Sequence, residues 1–251
     1  MRYLILFLFS LVVKFSFAQT TFNATYHVKF DKEKLQNLYK DKSNRDAMKY
    51  NMLIKTMINN AESLDYTILF NSTNAVFEPK ESLTVNKNEG LSFGLGILST
   101  INAEAKIFTS GECNEFYKKI EAGGVEALVL YPFNNFNWKL TNQSKVVNGL
   151  TVFKANGTLN KNNTLISLEA WYCKDLPYNY GPVMFNGLPG LITEIIAEEK
   201  SKKGLKYTFL LKSIEEVNKS VQKAPKETNK VISEEELNEI FAKMNSNFNP
   251  N

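Results

Sequence analysis

The sequence has few of the residues that most often carry out catalysis. Its 251 residues include one histidine, His27, two cysteines and five aspartates. The local sequence around His27 does not suggest a catalytic triad, and a zinc site cannot be assembled from one histidine and two distant cysteines. The glycines of residues 90–96 lack the spacing and the downstream acid of a dinucleotide-binding loop. We therefore predict no metal site and no cofactor.

Cysteine is too scarce for a fold held together by disulfides, which small exported domains use when their core is insufficient. The two cysteines, Cys113 and Cys173, could form one disulfide in an oxidising compartment. They could also remain two separate buried thiols, because a free cysteine packs as a small apolar residue. The sequence favours the disulfide only slightly over the second alternative.

Long hydrophobic runs are absent beyond the N-terminal residues. Residues 1–18 have the pattern of a secretory signal, with Arg2 at the start, an apolar run over residues 4–13 and small residues before the cut. The apolar run is shorter than the roughly 20 residues that a membrane-spanning helix needs. We expect an exported protein, periplasmic or secreted, that is cleaved near Ala18–Gln19 and has no transmembrane span.

A strong excess of one charge is also missing. Without residues 1–18 the chain loses Arg2 and Lys14 from its 30 basic residues, which leaves 28 against 26 acidic residues and a net charge of +2. Proteins that bind nucleic acid usually concentrate positive charge on one face. We therefore expect no nucleic-acid partner.

The sequence does contain many short segments typical of β-strands, rich in aromatic or β-branched residues and bounded by Gly, Pro or Asn. They cover residues 22–30, 66–70, 74–78, 115–120, 126–131, 136–140, 150–159, 165–171, 191–197 and 205–214. Residues 31–62 lack Gly and Pro and repeat apolar residues at helical spacing, which predicts one or two helices. The predicted fold is a β-rich α+β domain over residues 19–217. It would be a curved antiparallel sheet, resembling the half-barrel of periplasmic lipoprotein carriers, with the helices packed on one face.

The remaining residues, 218–251, have a different composition. Large apolar residues thin out over residues 218–232, which predicts a polar linker. Ser233 and Glu236 then match a capping box. An apolar stripe at helical spacing follows, formed by Leu237, Ile240, Phe241 and Met244. We predict a short terminal helix that docks on the domain.

Residues 171–196 place three prolines and three glycines between two apolar runs. Within this stretch, Pro189 presets φ and Gly190 supplies the positive φ of a predicted type II turn. Gly187 would let the chain approach a neighbour closely. We predict that the motif residues serve folding, namely Gly181, Pro182, Gly187, Leu188, Pro189, Gly190, Leu191 and Ile192.

The hexapeptide at residues 187–192, GLPGLI, resembles the signature of the GLPGLI family of secreted Bacteroidetes proteins. Upstream matches in the family's order are Trp138–Thr141, Lys145, Gly149, Ala155, Ala170–Tyr172, Pro177, Gly181–Pro182 and Phe185–Asn186. Many members have a cysteine shortly after the position of Gly149, and this chain has none there. The resemblance implies a secreted protein without established activity, of a kind often encoded beside outer-membrane receptors.

Four aromatic residues near the motif, Trp171, Tyr178, Tyr180 and Phe185, are predicted to line a binding surface, because exposed aromatic clusters tend to mark interaction sites. The preferred hypothesis is an exported, non-catalytic binding or assembly module of the cell envelope. Its partner would be an apolar ligand or an outer-membrane protein. One alternative is an envelope hydrolase that uses the carboxylates of Glu169 and Asp175. The other is a purely structural protein, which would have no concave apolar surface.

Overall fold

Apolar and polar residues alternate along the first strand as the sequence predicts. Between Thr21 and Phe30, the side chains of Ala24, Tyr26 and Val28 are buried, while the residues between them are more exposed. Alternation with a period of two places one face of a strand on the core. The same pattern recurs in the next strand to form along the chain, Asp65–Phe70.

This computed structural model describes residues 20–37, 44–80, 97–122, 124–133, 136–161, 164–200 and 204–248. The predicted signal, residues 1–18, and the glycines of residues 90–96 lie outside the described residues. The strands are β1 (Thr21–Phe30), β2 (Asp65–Phe70), β3 (Asn74–Pro79), β4 (Ile107–Ser110), β5 (Glu115–Ala122), β6 (Val125–Pro132), β7 (Lys139–Val147), β8 (Leu150–Lys161), β9 (Thr164–Cys173), β10 (Leu191–Glu199), β11 (Lys206–Val217) and β12 (Val231–Ser233). The helices are α1 (Lys32–Asn37), α2 (Asn44–Ser63) and α3 (Glu234–Phe248), and a single helical turn covers residues 97–100. None of the described helices is long and apolar enough to cross a membrane.

Two consecutive meanders form the sheet. β1 to β6 pair in chain order, β7 to β11 do the same, and the two series meet where β1 pairs with β11. These pairs are antiparallel, whereas the short β12 adds beside β6 in the parallel direction. The predicted β-rich fold, a curved antiparallel sheet with few helices, is confirmed.

The main hydrophobic core lies on one face of this sheet. Tyr66 of β2 stacks on Phe77 of β3 with 5.6 Å between ring centroids, and it packs edge-on against Phe209 of β11 at 5.5 Å. Ile58 and Ala61 of α2 are buried in the same core. Because Phe209 belongs to the second meander and the other two rings to the first, this aromatic cluster holds the meanders together.

The C-terminal residues pack on the sheet. Val221 contacts a buried cluster on the face away from the main core, formed by Val76, Phe108, Tyr117 and Leu128. The backbone N–H of Glu236 donates a hydrogen bond to Ser233 Oγ at 3.1 Å, as the capping box predicts. Leu237 of α3 is buried against residues of β6 and β12. The terminal helix therefore docks, and residues 231 and 232, at the end of the predicted linker, belong to β12.

β7 is the strand whose bounds differ most from its prediction. β7 begins at Lys139 instead of residue 136, because Phe136 is buried in the core and leaves the sheet. The strand continues to Val147, where Asn148 and Gly149 have φ of 50° and 78°, the positive pair that a type I′ hairpin turn requires. β4 was not predicted, because its four residues are too short for a pattern to stand out.

Candidate functional site

The hexapeptide motif lies at the end of a loop, residues 174–190, that connects β9 to β10; we call it the motif loop. Tyr178 in this loop packs edge-on against Phe70 of β2, with 5.1 Å between ring centroids. Just after the loop, the buried hydroxyl of Tyr26 in β1 donates a hydrogen bond to the Ile192 carbonyl at 2.7 Å. The motif loop belongs to the second meander and packs on the first, so it fastens the two together.

Two glycines of the motif exchange the roles that the sequence predicts for them. Gly190 has a φ of 159°, close to extended backbone, and a Cβ there would lie 2.1 Å from the Cys173 carbonyl oxygen. Gly187 has a φ of 87°, in the region that favours glycine, and a Cβ there would meet Trp138 at an ordinary 3.6 Å. Gly190 is therefore needed for a close approach and Gly187 for its backbone conformation.

Trp138, just before β7, lies between β8 and the motif loop and contacts both. Its indole Nε1–H donates a hydrogen bond to the Asn186 carbonyl at 2.9 Å. Its ring covers Gly157, where a Cβ would lie 2.6 Å from a ring carbon. Phe136 packs against Phe185 of the loop, with 5.6 Å between ring centroids. The segment before β7 and the motif loop therefore form one packed unit.

The four predicted aromatic residues do not share one surface. Trp171 lies on the face of β9 away from the main core, with Lys145 Nζ 4.1 Å from the centroid of one of its rings. Tyr178 is half-buried and Tyr180 is buried in the core. Phe185 is the one of the four that lines the cleft described below.

The two carboxylates of the hydrolase alternative have different surroundings. Glu169 lies within β9, where it forms an ion pair with Lys154 at 2.9 Å. Asp175 is exposed in the turn that follows the strand. Four residues of extended chain separate Glu169 from the end of β9, about 13 Å along the strand. Glu169 is thus engaged by a lysine within the strand, whereas Asp175 lies beyond the end of the strand in solvent.

The slightly favoured disulfide is not formed. Cys113 is an exposed free thiol in the turn between β4 and β5, and Cys173 is a buried free thiol at the end of β9. Six strand spacings of about 4.8 Å separate β4 from β9 along the sheet. A disulfide needs Cα atoms within about 7 Å of each other, and this strand order keeps the two cysteines on different parts of the sheet.

A cleft of about 220 Å³ lies between the motif loop and strands of both meanders. Its apolar lining comes from Ile101, Tyr131, Phe136, Leu159, Ile166, Val183, Met184, Phe185 and Tyr207, and its polar lining from Thr100, Asn102, Asn160 and Glu234. A concave, mainly apolar surface with a few polar groups is the usual form of a ligand site. We take this cleft as the candidate functional site.

Two residues that line the cleft have left-handed backbone conformations. Val183, in the motif loop, has a φ of 58°, and Asn102 has a φ of 57°. Asparagine tolerates this region, but a β-branched residue there is strained by about 1–3 kcal/mol. Such strain persists only where the surroundings hold it, and it concentrates at binding and active sites. The conformation of Val183 therefore supports a functional role for the cleft.

A largely buried ion pair lies behind one wall of the cleft. Lys118 Nζ donates a hydrogen bond to Asn102 Oδ1 at 2.8 Å and pairs with Glu104 at 2.6 Å. The pKa of Tyr131 is raised to about 12. Burial is the largest cause, and the negative charges of Glu234 and Glu104 add to it. The Tyr131 hydroxyl is thus protonated at neutral pH and can donate a hydrogen bond. The cleft combines an apolar body with at least one hydrogen-bond donor on its wall.

Sequence reasoning identified Phe185 in this cleft and missed the other aromatic residues. Tyr131 lies in β6 and Tyr207 in β11, which belong to different meanders. Their approach depends on the order of strands in the sheet, and no local pattern contains that order. Val183 gave no signal either, because valine is not expected at positive φ.

Comparison with known proteins gives one family match and several structural neighbours. Residues 156–194 match the family model described as protein of unknown function (Porph_ging), and this region contains the motif hexapeptide. Among curated proteins, no sequence matches significantly. The structure of PNGF-II in space group C2 has a TM-score of 0.51 at 12% identity, over 87% of this chain and 32% of PNGF-II.

PNGF-II in space group P21 gives a TM-score of 0.48 at 13% identity, over 86% of this chain and 31% of the other. The LolA superfamily protein NE2245 from Nitrosomonas europaea gives 0.31 at 10% identity, over 84% and 90% of the two chains. This chain thus spans about a third of PNGF-II, and at such low identity the likeness concerns the fold alone. Together, the comparisons give a β-rich fold and a match over residues 156–194 to a family of unknown function.

Proposed function

We propose that this protein is an exported, non-catalytic binding module of the cell envelope that holds an apolar group in the cleft. The observation that carries this proposal is the cleft itself, which is concave and mainly apolar. A purely structural envelope protein would have no need of such a surface. Export rests on the signal pattern of residues 1–18.

The size of the cleft limits what it can hold. Sites for drug-sized ligands usually have volumes of about 300–1,000 Å³, and this cleft has about 220 Å³. One or two rings or a short acyl segment would fit that space. Because Tyr131 offers a hydrogen-bond donor, the expected group carries an acceptor next to its apolar part. Such a group belongs either to a small molecule or to a side chain of an outer-membrane partner.

The hydrolase alternative has less support than binding. Glu169 is engaged by Lys154, and its carboxylate also accepts a hydrogen bond from Trp171 Nε1 at 3.3 Å. Among the described residues that line the cleft, Glu234 is the single carboxylate. Hydrolysis by paired carboxylates needs a second one within about 10 Å.

Binding can be tested with 1-naphthol, a fluorescent two-ring compound with a hydroxyl group. For a ligand of this size we expect a dissociation constant on the order of 100 µM in a fluorescence titration. Ile166→Glu, which places a charge in the cleft lining, should weaken binding by about tenfold or more, because a ligand in the cleft would remove water from the introduced carboxylate. The neighbouring Leu165 is 49% exposed and does not line the cleft. Leu165→Glu is therefore the matched control and should bind like the wild type.

Two results would contradict the proposal. The first is no saturable binding of 1-naphthol by the wild type at about 1 mM. The second is an equal loss of affinity in Ile166→Glu and Leu165→Glu, which would show that the compound binds elsewhere. Circular dichroism of both variants checks that each is folded.

A further inference from the structure

We propose that the free edge of β7 is a docking edge for a second copy of this chain, with the two β7 strands paired antiparallel about a twofold axis through Gln143. This interface would continue the sheet of one molecule into the sheet of the other. β7 contributes no residue to the cleft lining, so the interface and the cleft are separate sites.

The two edges of the sheet are built differently. β12, at one end, has three residues and continues directly into α3, which packs on β6. β7, at the other end, has nine residues and pairs only with β8 among the described strands. A long open edge presents unpaired backbone N–H and C=O groups that can pair with another strand. β7 is therefore the edge that is available for association.

Two large apolar side chains on this edge are exposed to solvent. Leu140 is 56% exposed and Val146 is 71% exposed. Their partners on β8 are Ala155 and Thr151, four residues apart and hence on the same face of the strand. Leu140 and Val146 thus lie on one face of the sheet, at its outermost strand. A second strand alongside would cover part of both side chains.

β7 is complementary to itself in one antiparallel register. With Gln143 opposite Gln143 of the second copy, Leu140 lies opposite Val146 at two symmetric positions. Lys145 then lies opposite Thr141, so no like charges face each other across the interface. Directly opposed apolar pairs stabilise antiparallel strands, whereas like charges in those positions would destabilise the pair.

Other features of β7 disfavour indiscriminate pairing. Between Leu140 and Ser144 the register with β8 is shifted, which marks a bulge near Gln143. Lys145 Nζ is held by Glu194 on the face away from the main core. Bulges and lysines on an edge strand hinder its pairing with other strands. An identical strand in the stated register does not place lysines directly opposite each other, and its pairing relies on the two flanks of the bulge.

The test is sedimentation equilibrium of the chain without residues 1–18, from about 5 to 500 µM, with reductant present because Cys113 is exposed. An interface of one strand pair is small, so we expect a dissociation constant on the order of 10–100 µM. Leu140→Glu alone and Val146→Lys alone should each weaken the dimer by tenfold or more. A mixture of the two variants should recover it, because the introduced carboxylate of one copy would face the introduced ammonium group of the other. Met52→Glu, at a helix residue that is 66% exposed, is the control and should dimerise normally.

Three results would overturn the proposal. A wild-type protein that stays monomeric throughout the range has no such interface, and its β7 edge would be left to a strand of a different protein. A dimer that survives both single substitutions uses another surface. A mixture of the weakened variants that fails to associate excludes this register.

Discussion

Gly190→Ala is expected to lower the free energy of unfolding by about 3–5 kcal/mol, because its Cβ would lie 2.1 Å from the carbonyl oxygen of Cys173. That oxygen is part of the backbone at the end of β9, so it cannot move aside as a flexible side chain would. In a protein of this size, the loss corresponds to a fall in melting temperature of roughly 10 °C or more. Differential scanning calorimetry measures it, and an insoluble variant would agree with the same expectation.

Gly187→Ala provides the matched control within the same motif. Its Cβ has room, and the substitution costs only the strain of an L-residue at a φ of 87°, about 1–2 kcal/mol. A larger loss of stability in Gly190→Ala than in Gly187→Ala is what the assigned roles predict, namely close approach at Gly190 and backbone conformation at Gly187. If Gly187→Ala were the more damaging variant, or if Gly190→Ala melted within about 2 °C of the wild type, the assignment of roles would be wrong.

Lys118→Met is expected to lower the free energy of unfolding by about 2–4 kcal/mol, because it leaves the Glu104 carboxylate without its cation. The Lys118 side chain is 9% exposed and that of Glu104 is 21% exposed, so solvent replaces little of the lost interaction. Methionine keeps the length and apolar character of the lysine stem. Chemical denaturation followed by fluorescence measures the change.

The neighbouring Lys119 supplies the control for this second prediction. It pairs with Glu121 and, at 3.4 Å, with Glu126, and the two glutamate side chains are 64% and 65% exposed. Lys119→Met should therefore change stability by about 0.5 kcal/mol or less. The double variant with Lys118→Met and Glu104→Gln should recover at least half of the loss. An equally unstable double variant would mean that packing of the lysine stem, and not its charge, matters.

Local patterns predicted most strands because the burial of one face leaves a period of two in the sequence. The predicted segment 22–30 agrees with β1 to within one residue, and 74–78 agrees with β3. The same pattern also marks Lys118, which sequence reasoning missed. This lysine stands between Phe116 and Ile120, on the inward face of β5, where a charged residue requires a partner.

The candidate site was harder to predict because it depends on contacts between distant residues. Proline and glycine at residues 187–190 correctly indicated a constrained loop. Which glycine needs space and which needs positive φ is decided by the Cys173 carbonyl, and that contact arises only in the folded chain. The positions of Trp171 and Phe185 on different faces follow from strand alternation and loop packing. Their shared aromatic character alone could not separate them.

The arrangement of two meanders joined at β1 and β11 has a consequence for how the chain reaches its native state. Within each meander, consecutive strands are joined by at most 34 residues and most of them by fewer than ten, so these pairings form comparatively fast. The pairing of Thr21 with Val217 instead closes a loop of about 200 residues, at a larger entropic cost. We therefore expect the strands within each meander to pair early and the β1–β11 pairing to form last. The motif loop would form its contacts with the first meander in that last step. Damage to the motif would then slow the final docking of two preformed halves more than the formation of either half.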